Sequence, residues 1–428
     1  MIGRAVDRYL SSTTARLVVV VVVLGAVGAL LHLTVIPGLD RPPPYRIDLD
    51  VYRTGGQVFL DGGDLYGELP VLAEGAYLPF TYPPLSAQLF SVFTLVPLAV
   101  ASTIITVATI AVTASVVRLV LTRTCDRPRR DLWWLTAAVV AVAIWSGPVR
   151  ETLGFGQINV FLMALVLVDV LRGRGRWWGG TLTGLAMAVK LTPAVFLLYF
   201  VLRRDWRGLA TAIGSALAFT GIGHLLAPED SVRYWTFAIR DPARIGGLPF
   251  SSNQSVNGVV YRLGLEGTAA SAVWFVVASL VGLAIAYVAW RLLRAGHEVA
   301  AAVVVGYVAL FCSPVSWGHH WVWAVPAVVL ALVWADRAAT RDDDDERGWL
   351  ALAGSGVVIF LSTPQWWVPN SHDRELGWGP LEHVVGNAYL IWAAVFLVVL
   401  GVRASRLGPP DRGADPLRPA LFVRDRTQ

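Results

Sequence analysis

Two aspartates within a short run of aromatic and apolar residues are candidates for acid–base chemistry. Asp48 and Asp50 lie in the run Tyr45-Arg-Ile-Asp-Leu-Asp-Val-Tyr52. In an extended segment they share a face, whereas in a helix they diverge by about 200°, so that only one of them faces a cavity. A carboxylate in that setting acts as a general base or holds a divalent ion. The alternative is a solvated loop acid or one paired with arginine.

A pair of histidines is the second candidate for chemistry. His319 and His320 follow the run Ser313-Pro-Val-Ser-Trp-Gly318 and lie among several tryptophans. Helical metal ligands are spaced three or four residues apart, so this adjacent pair does not form a metal site by itself. One imidazole can instead donate to a phosphate oxygen or orient a carboxylate. The alternative is an aromatic belt with a histidine at the depth of the lipid headgroups.

The only lysine of the chain, Lys190, stands in an apolar stretch just before Leu-Thr-Pro193. An unpaired ionisable group inside a membrane costs at least a few kcal/mol, which makes Lys190 a functional candidate, with snorkelling to the headgroups as the alternative.

Side-chain amides that suit the hydroxyls of a sugar occur at Gln157, Asn159, Asn253 and Gln254. Helix capping accounts equally well for Asn159.

The elements that position these residues are membrane helices, as the composition indicates. The 428 residues are 55% hydrophobic and 15% charged, with a mean hydropathy of +0.58. Such a composition excludes a soluble enzyme, a disordered chain and a disulfide scaffold. The apolar runs suffice for about twelve crossings of roughly 20 residues each. We therefore predict an all-α polytopic membrane protein in which residues 1–402 form one membrane domain and residues 403–428 a cytoplasmic tail.

Arginine-rich segments separate the apolar runs on one side of the predicted bundle. By the positive-inside rule these segments and the N-terminus are cytoplasmic. The assignment requires that residues 83–98 form a re-entrant or surface-lying helix, and that residues 177–202 form two short helices broken before Pro193. The first outer loop, 38–82, and the long outer loop, 227–268, then meet the candidate residues at one rim, on the extracytoplasmic face of the plasma membrane.

Nucleic acids, cofactors and metals are not expected. The formal net charge of +5 follows from the topology, and no basic stripe interleaved with aromatic residues indicates a nucleic-acid partner. Cys125 and Cys312 fall on opposite sides of the predicted membrane, which predicts neither a disulfide nor a metal site. The sequence lacks phosphate-loop, zinc-protease, nucleophile-elbow and dinucleotide motifs. A nucleotide-using enzyme would need a cytoplasmic site of that kind.

Several motifs, taken together, resemble those of a known family. They are Asp48-Leu-x-Val-Tyr52, Tyr82-Pro-Pro-Leu85, Gly156-Gln-x-Asn159, Lys190-Leu-Thr-Pro193, Asn253-Gln-Ser255 and Ser313-Pro-x-Ser-Trp-Gly-His-His320. Over about Asp48 to Trp323 the chain is similar to the actinobacterial GT-C glycosyltransferases. Within them it resembles the polyprenol-phosphate-mannose-dependent α-1,2-mannosyltransferases of mycobacteria, such as those that act on phosphatidylinositol mannosides.

The resemblance implies a GT-C bundle and an inverting sugar transfer outside the cytoplasm. A β-linked polyprenyl-phosphate mannose is the implied donor, and a mannose hydroxyl of a membrane glycolipid, a phosphatidylinositol mannoside, attacks it to give an α-1,2 linkage. The catalytic aspartate carried over is Asp48, which precedes Leu-x-Val-Tyr52, with Asp50 as the alternate. A phosphate monoester needs less charge neutralisation than a nucleoside diphosphate, so no metal is implied.

The remaining roles concern the departing lipid phosphate and the sugars. His319 or His320, with Lys190 and Arg262, would stabilise charge on the phosphate. Tyr52 and Trp317 join the amides as expected substrate contacts. The tryptophan-rich rim and the helix at 83–98 would form grooves for the lipid chains of both substrates.

Three other functions are compatible with these patterns. One is α-1,2-mannosyl branching of lipomannan or lipoarabinomannan, and another is transfer of a different lipid-phosphate sugar, such as arabinose or glucose. The third, from another class, is a flippase or transporter of lipid-linked sugars, which would also have broken helices. A transporter predicts polar groups near mid-span and related halves, whereas these candidates lie at one surface and the sequence shows no repeat.

Overall fold

The computed structural model describes residues 2–30, 45–241, 246–341, 345–407 and 410–414, and all regular elements in these ranges are helices. The predicted all-α class is therefore confirmed. The end of the predicted first span at 31–36, the start of the first outer loop at 38–44 and the end of the tail at 415–428 lie outside the described residues.

Nineteen α-helices form the described part of the chain. The first nine are α1 Ile2–Ser11, α2 Thr13–Leu30, α3 Ile47–Leu60, α4 Pro84–Phe90, α5 Leu98–Thr124, α6 Arg129–Ala143, α7 Gly147–Phe155, α8 Asn159–Arg172 and α9 Thr181–Val189. The others are α10 Leu197–Arg203, α11 Trp206–Leu226, α12 Pro228–Thr236, α13 Val256–Arg262, α14 Gly267–Arg294, α15 Glu298–Cys312, α16 Ala324–Thr340, α17 Asp345–Ser362, α18 Pro380–Gly386 and α19 Ala388–Arg403. Short 3₁₀ helices link several of them, including Ser91–Leu95, Thr192–Phe196 and Gly318–Trp323.

The number of long apolar helices is smaller than the sequence predicts. Among the described residues, four helices are long and apolar enough to cross a membrane: α5, α11, α14, and α16 together with its preceding 3₁₀ turn. Three bent pairs, α1 with α2, α6 with α7 and α18 with α19, raise the number to seven if each pair is one span. The chain is a multi-pass membrane protein, but the expected twelve or so crossings are not confirmed. Several apolar runs form helices shorter than the roughly 20 residues that a crossing needs.

The structure has short helices at both places on which the predicted topology depends. The region expected to avoid crossing forms only α4 and the 3₁₀ turn that ends at Leu95. The predicted break before Pro193 also occurs. Helix α9 ends at Val189, and a 3₁₀ helix with Pro193 in its first turn begins at Thr192. Proline lacks an amide proton and clashes with the preceding helical turn, which explains the break after α9.

Three helices run between an end of the molecule where ion pairs cluster and the end that carries most of the predicted site residues. At the end with the ion pairs, the carboxylate of Glu298 contacts Arg203 and, at 2.8 Å, Arg123. Asp411 of the tail lies at the same end, where its carboxylate accepts a hydrogen bond of 2.8 Å from the amide of Val299. Helices α8, α15 and α16 have 14, 15 and 17 residues and are therefore about 20–25 Å long. Their opposite ends carry the candidate site.

Candidate active site

A cavity of about 520 Å³, here called the main cavity, lies at the other end of these helices. Its wall combines the first turns of α3, the segment 78–83, the chain break after α9 and the segment 313–320. Seven of the residues predicted from the sequence line it: Asp48, Tyr52, Gln157, Lys190, Trp317, His319 and His320. The convergence expected from the topology is therefore present among the described residues.

Asp48 and Asp50 point in different directions, as their spacing in a helix requires. Both lie in the first turn of α3. Asp48 lines the main cavity, whereas the carboxylate of Asp50 accepts hydrogen bonds from the Tyr45 hydroxyl at 3.0 Å and the Ala73 amide at 2.8 Å. The two carboxylates therefore do not share one site. In the described residues, no group of three or more His, Cys, Asp and Glu side chains could hold a metal ion.

The Asp48 carboxylate is held by an amide whose orientation is fixed by two tyrosines. The Nε2 of Gln157 donates to Asp48 at 2.6 Å. The hydroxyls of Tyr52 and Tyr82 lie 2.9 and 3.2 Å from the Gln157 Oε1 and 2.8 Å from each other. Because hydroxyl donors face the oxygen of the amide, its nitrogen must face Asp48.

The pKa of Asp48 reflects its enclosed position. Burial disfavours the charged carboxylate and raises the pKa of Asp48 to about 6, although the hydrogen bond from Gln157 and the charge of Lys190 oppose this rise. A carboxyl group with that pKa is ionised at neutral pH and is a stronger base than an exposed aspartate. Asp48 can therefore accept a proton from a bound hydroxyl.

Lys190 lies at the break after α9, and the side chains in direct contact with its ammonium are neutral. Its Nζ donates to the Asn159 Oδ1 at 3.1 Å and lies 3.5 Å from both the Tyr82 hydroxyl and the His320 Nε2. The ammonium also lies 5.1 Å from the centre of the Tyr82 ring, within the range of a cation–π contact. A cation in these contacts remains available to an anion that enters the main cavity.

The two histidine rings are perpendicular, with an interplanar angle of 89°. The Nδ1 of His320 accepts a hydrogen bond of 3.2 Å from the Trp317 amide, so a neutral His320 carries its proton on Nε2. The ring of His319 is buried against Phe155, with centroids 5.3 Å apart, and neither of its nitrogens has a hydrogen-bond partner among the described residues. His320 therefore presents an N–H donor on the side where Lys190 lies.

Four predicted substrate contacts do not line the main cavity. Asn159 lies behind the wall, where its amide bonds to Lys190 and to the backbone oxygen of His319 at 3.1 Å. Asn253 accepts a hydrogen bond of 2.9 Å from the Ser316 amide. The Gln254 side chain donates to the backbone oxygen of Gly386 at 2.6 Å. The structure thus places these amides in the support of the site, because their polar atoms bond to backbone groups and, for Asn159, also to Lys190.

Arg262 is the fourth of these residues, and it is also remote from the cavity wall. It is 1% exposed, and its guanidinium donates to backbone oxygens of the segment 249–253 and to the Asn387 Oδ1 at 2.6 Å. Its role in the described structure is to join α13 to the start of α19. The expectation that Arg262 contacts the departing phosphate is not met by this geometry.

Tyr82 is a cavity residue that the sequence did not single out as a contact. Its hydroxyl lies between the groups around Asp48 and the ammonium of Lys190. A sequence feature could have identified it, because Tyr82 is the first residue of the Tyr82-Pro-Pro-Leu85 motif. Asp241 also lines the cavity, but no motif marks it.

Comparisons with known proteins agree with the motifs. Residues 80–314 match the profile of glycosyltransferase family 87. The chain is 38% identical over 386 residues to the polyprenol-phosphate-mannose-dependent α-(1-2)-phosphatidylinositol mannoside mannosyltransferase of Mycobacterium tuberculosis strain H37Rv, covering 86% of this chain and 87% of the relative. It is 34% identical over 372 residues, or 84% of each chain, to the corresponding phosphatidylinositol pentamannoside mannosyltransferase of Mycobacterium tuberculosis strain CDC 1551.

A solved structure, ArnT from Cupriavidus metallidurans bound to undecaprenyl phosphate, is similar with a TM-score of 0.38 and 15% identity, covering 92% of this chain and 78% of its own. The sequence relatives carry the assignment, since they align over most of their length and the family profile covers more than half of the chain. The resemblance drawn from the motifs is confirmed, and the chain belongs to glycosyltransferase family 87.

Proposed function

We propose that this protein transfers mannose from polyprenol-phosphate mannose to a hydroxyl of a phosphatidylinositol mannoside and forms an α-1,2 linkage. The observation that carries the proposal is that the carboxylate of Asp48 faces the same cavity as Lys190 and His320. One cavity thus offers a base for an incoming hydroxyl and donors for a departing phosphate. The names of the relatives supply the identities of the donor and the acceptor.

Asp48 acts on the acceptor in this mechanism. It takes the proton of the acceptor hydroxyl while the hydroxyl oxygen forms a bond to the anomeric carbon of the donor mannose. The bond from that carbon to the phosphate oxygen breaks with inversion, and its electron pair leaves with the lipid phosphate. A positioned general base contributes roughly 10²–10⁴-fold to the rate.

Lys190 and His320 act on the leaving group. The ammonium of Lys190 and the Nε2–H of His320 lie 3.5 Å apart, so both can donate to oxygens of one phosphate. Such fixed donors stabilise the charge that develops as the bond to the phosphate breaks. The buried nitrogens of His319 lie beside this position and form part of the same wall.

The fold and its orientation complete the proposal. The helices form a GT-C bundle, and the main cavity opens on the extracytoplasmic face. Arginines at the opposite ends of the long helices support this orientation, because cytoplasmic segments of membrane proteins are enriched in Lys and Arg. A lipid-phosphate donor and a glycolipid acceptor would both reach the site from the bilayer.

Reconstitution of the purified protein with radiolabelled donor tests the proposal directly. The protein is incubated with polyprenol-phosphate mannose and with phosphatidylinositol mannosides of different lengths, and the products are digested with an α-1,2-specific mannosidase. We expect a labelled glycolipid that loses its label on digestion. A product resistant to the mannosidase, or transfer only to lipomannan, would contradict the linkage or the acceptor. Movement of the donor across vesicle membranes without transfer would instead show a flippase.

A further inference from the structure

Three aromatic rings form a row that starts in the wall of the main cavity. Trp317 lines the cavity, and the ring of Phe250 lies beside it with centroids 6.0 Å apart. The ring of Trp366 follows at 5.7 Å from Phe250. Trp366 is 37% exposed, and the next residue, Trp367, is 66% exposed. This aromatic row (Trp317, Phe250 and Trp366) therefore connects the cavity with the molecular surface.

A carboxylate outside the main cavity fixes the outer ring of the row. The Oε1 of Glu151, in α7, accepts a hydrogen bond of 3.2 Å from the Trp366 Nε1. The same carboxylate lies against Gly318, where a Cβ atom would come within 2.4 Å of the Glu151 Oε2. Glu151 thus ties Trp366 to the segment that carries His319 and His320. The mechanism proposed above gives Glu151 no role.

We propose that the aromatic row is the subsite that binds the mannose units of the acceptor behind the one that reacts. The inference rests on the proposed function. The apolar faces of sugar rings stack on aromatic side chains. The row offers three such rings, with neighbouring centroids 6.0 and 5.7 Å apart and ring planes inclined at 65° and 63°. The row thus accepts an oligomannosyl headgroup, and Glu151 is a positioning residue that orients Trp366.

The orientation of Trp366 separates this interpretation from an aromatic belt. In a belt, the indole N–H faces the lipid headgroups or water. Here the N–H of Trp366 is turned toward Glu151, and the row continues inward to the cavity wall through Phe250. A glycan on the row would have its next sugar in the main cavity, where Asp48 lies.

The test compares acceptors of different lengths with one enzyme preparation. KM and kcat are measured for a phosphatidylinositol oligomannoside and for octyl α-mannoside, which has one sugar, with polyprenol-phosphate mannose as donor. We expect Trp366→Ala and Glu151→Ala to raise the KM for the oligomannoside at least about fivefold. The KM values for octyl α-mannoside and for the donor should change less than about twofold.

Conservative variants and a distant tryptophan serve as controls. Glu151→Gln keeps an oxygen that can accept from Trp366 and should retain most of the preference for the longer acceptor. Trp366→Phe keeps a ring but loses the hydrogen bond to Glu151, so its KM for the oligomannoside should lie between those of the wild type and Trp366→Ala. Trp177→Ala removes a tryptophan that is 82% exposed and follows the arginine-rich turn after α8, and it should leave both KM values unchanged.

Equal losses with both acceptors, or no change with either, would overturn the subsite. A loss of kcat in Glu151→Gln as large as in Glu151→Ala would show that Glu151 acts in the chemistry rather than on Trp366. Failure of the proposed function has a different signature, since the wild-type protein would then transfer mannose to neither acceptor.

Discussion

Replacing Gln157 with leucine tests how the base is kept ionised. Gln157 donates a hydrogen bond of 2.6 Å to Asp48, and this bond opposes the burial that raises the pKa of Asp48 to about 6. A hydrogen bond to a charged group contributes about 1.5–3 kcal/mol, and 1.36 kcal/mol corresponds to one pH unit. Without the bond, the pH at which Asp48 ionises should rise by about one to two pH units.

The direction of the effect follows from the role of a base, which acts only when ionised. Transfer by the wild-type protein should therefore increase as the pH rises through about 6 and level off above it. In Gln157→Leu the acid limb of the pH profile shifts to higher pH. Its kcat/KM at about pH 7 should fall roughly two- to tenfold and recover most of the difference near pH 9.

The assay is the pH dependence of kcat/KM with radiolabelled donor. Gln57→Leu is a matched control, because the Gln57 amide also donates to a carboxylate, that of Asp61 at 2.9 Å, but does not line the main cavity. Its profile should coincide with that of the wild type. If Gln157→Leu loses activity equally at every pH, the amide acts on the substrate and the reasoning about Asp48 is wrong.

Three further predictions concern the identity of the base, the orientation of the protein in the membrane and an ion pair remote from the site. Asp48→Asn should lower mannosyl transfer at least about 10²-fold in the radiolabel assay, whereas Asp50→Asn should keep most of it; the opposite result moves the base by two residues. In a background without native cysteines, Glu229→Cys should react with an impermeant maleimide in intact cells and Arg176→Cys only after permeabilisation; the reverse pattern would place the site in the cytoplasm. Glu298→Gln leaves two arginines without their shared carboxylate and should destabilise the protein by about 3–5 kcal/mol, seen as a lower melting temperature in detergent; an unchanged melting temperature would contradict this role.

Residues whose environment is set by local chain geometry were predictable from the sequence. The break at Lys190 follows from Pro193, which cannot continue a helix, and the structure shows it. The divergence of Asp48 and Asp50 follows from helical periodicity. In both cases the physical cause lies within a few residues of the feature itself, so the sequence contains the necessary information.

Positions that depend on distant partners were predicted less well. Asn253, Gln254 and Arg262 are polar residues in a predicted outer loop, which is typical of substrate contacts. Their actual partners are backbone groups and an amide far along the chain, including Gly386 and Asn387. Composition and spacing cannot distinguish a polar group that supports a loop from one that faces a ligand, because both types avoid the apolar core. The expected number of spans is not confirmed for a related reason. The length of the helix that an apolar run forms depends on packing against distant helices, and α15, for example, has 15 residues, fewer than the roughly 20 of a typical span.

Gly156 shows how one small residue makes the site possible. It ends α7 with a φ of 75°, a left-handed conformation that glycine adopts without strain. A Cβ atom at this position would lie 2.8 Å from the Cβ of Leu49, so glycine is also what permits α3 to approach the turn between α7 and α8. That approach brings Asp48, which precedes Leu49, within 2.6 Å of Gln157, which follows Gly156. The Gly-Gln pair of the motif therefore acts together. The glycine permits the close approach of α3, and the glutamine donates the hydrogen bond that holds the base.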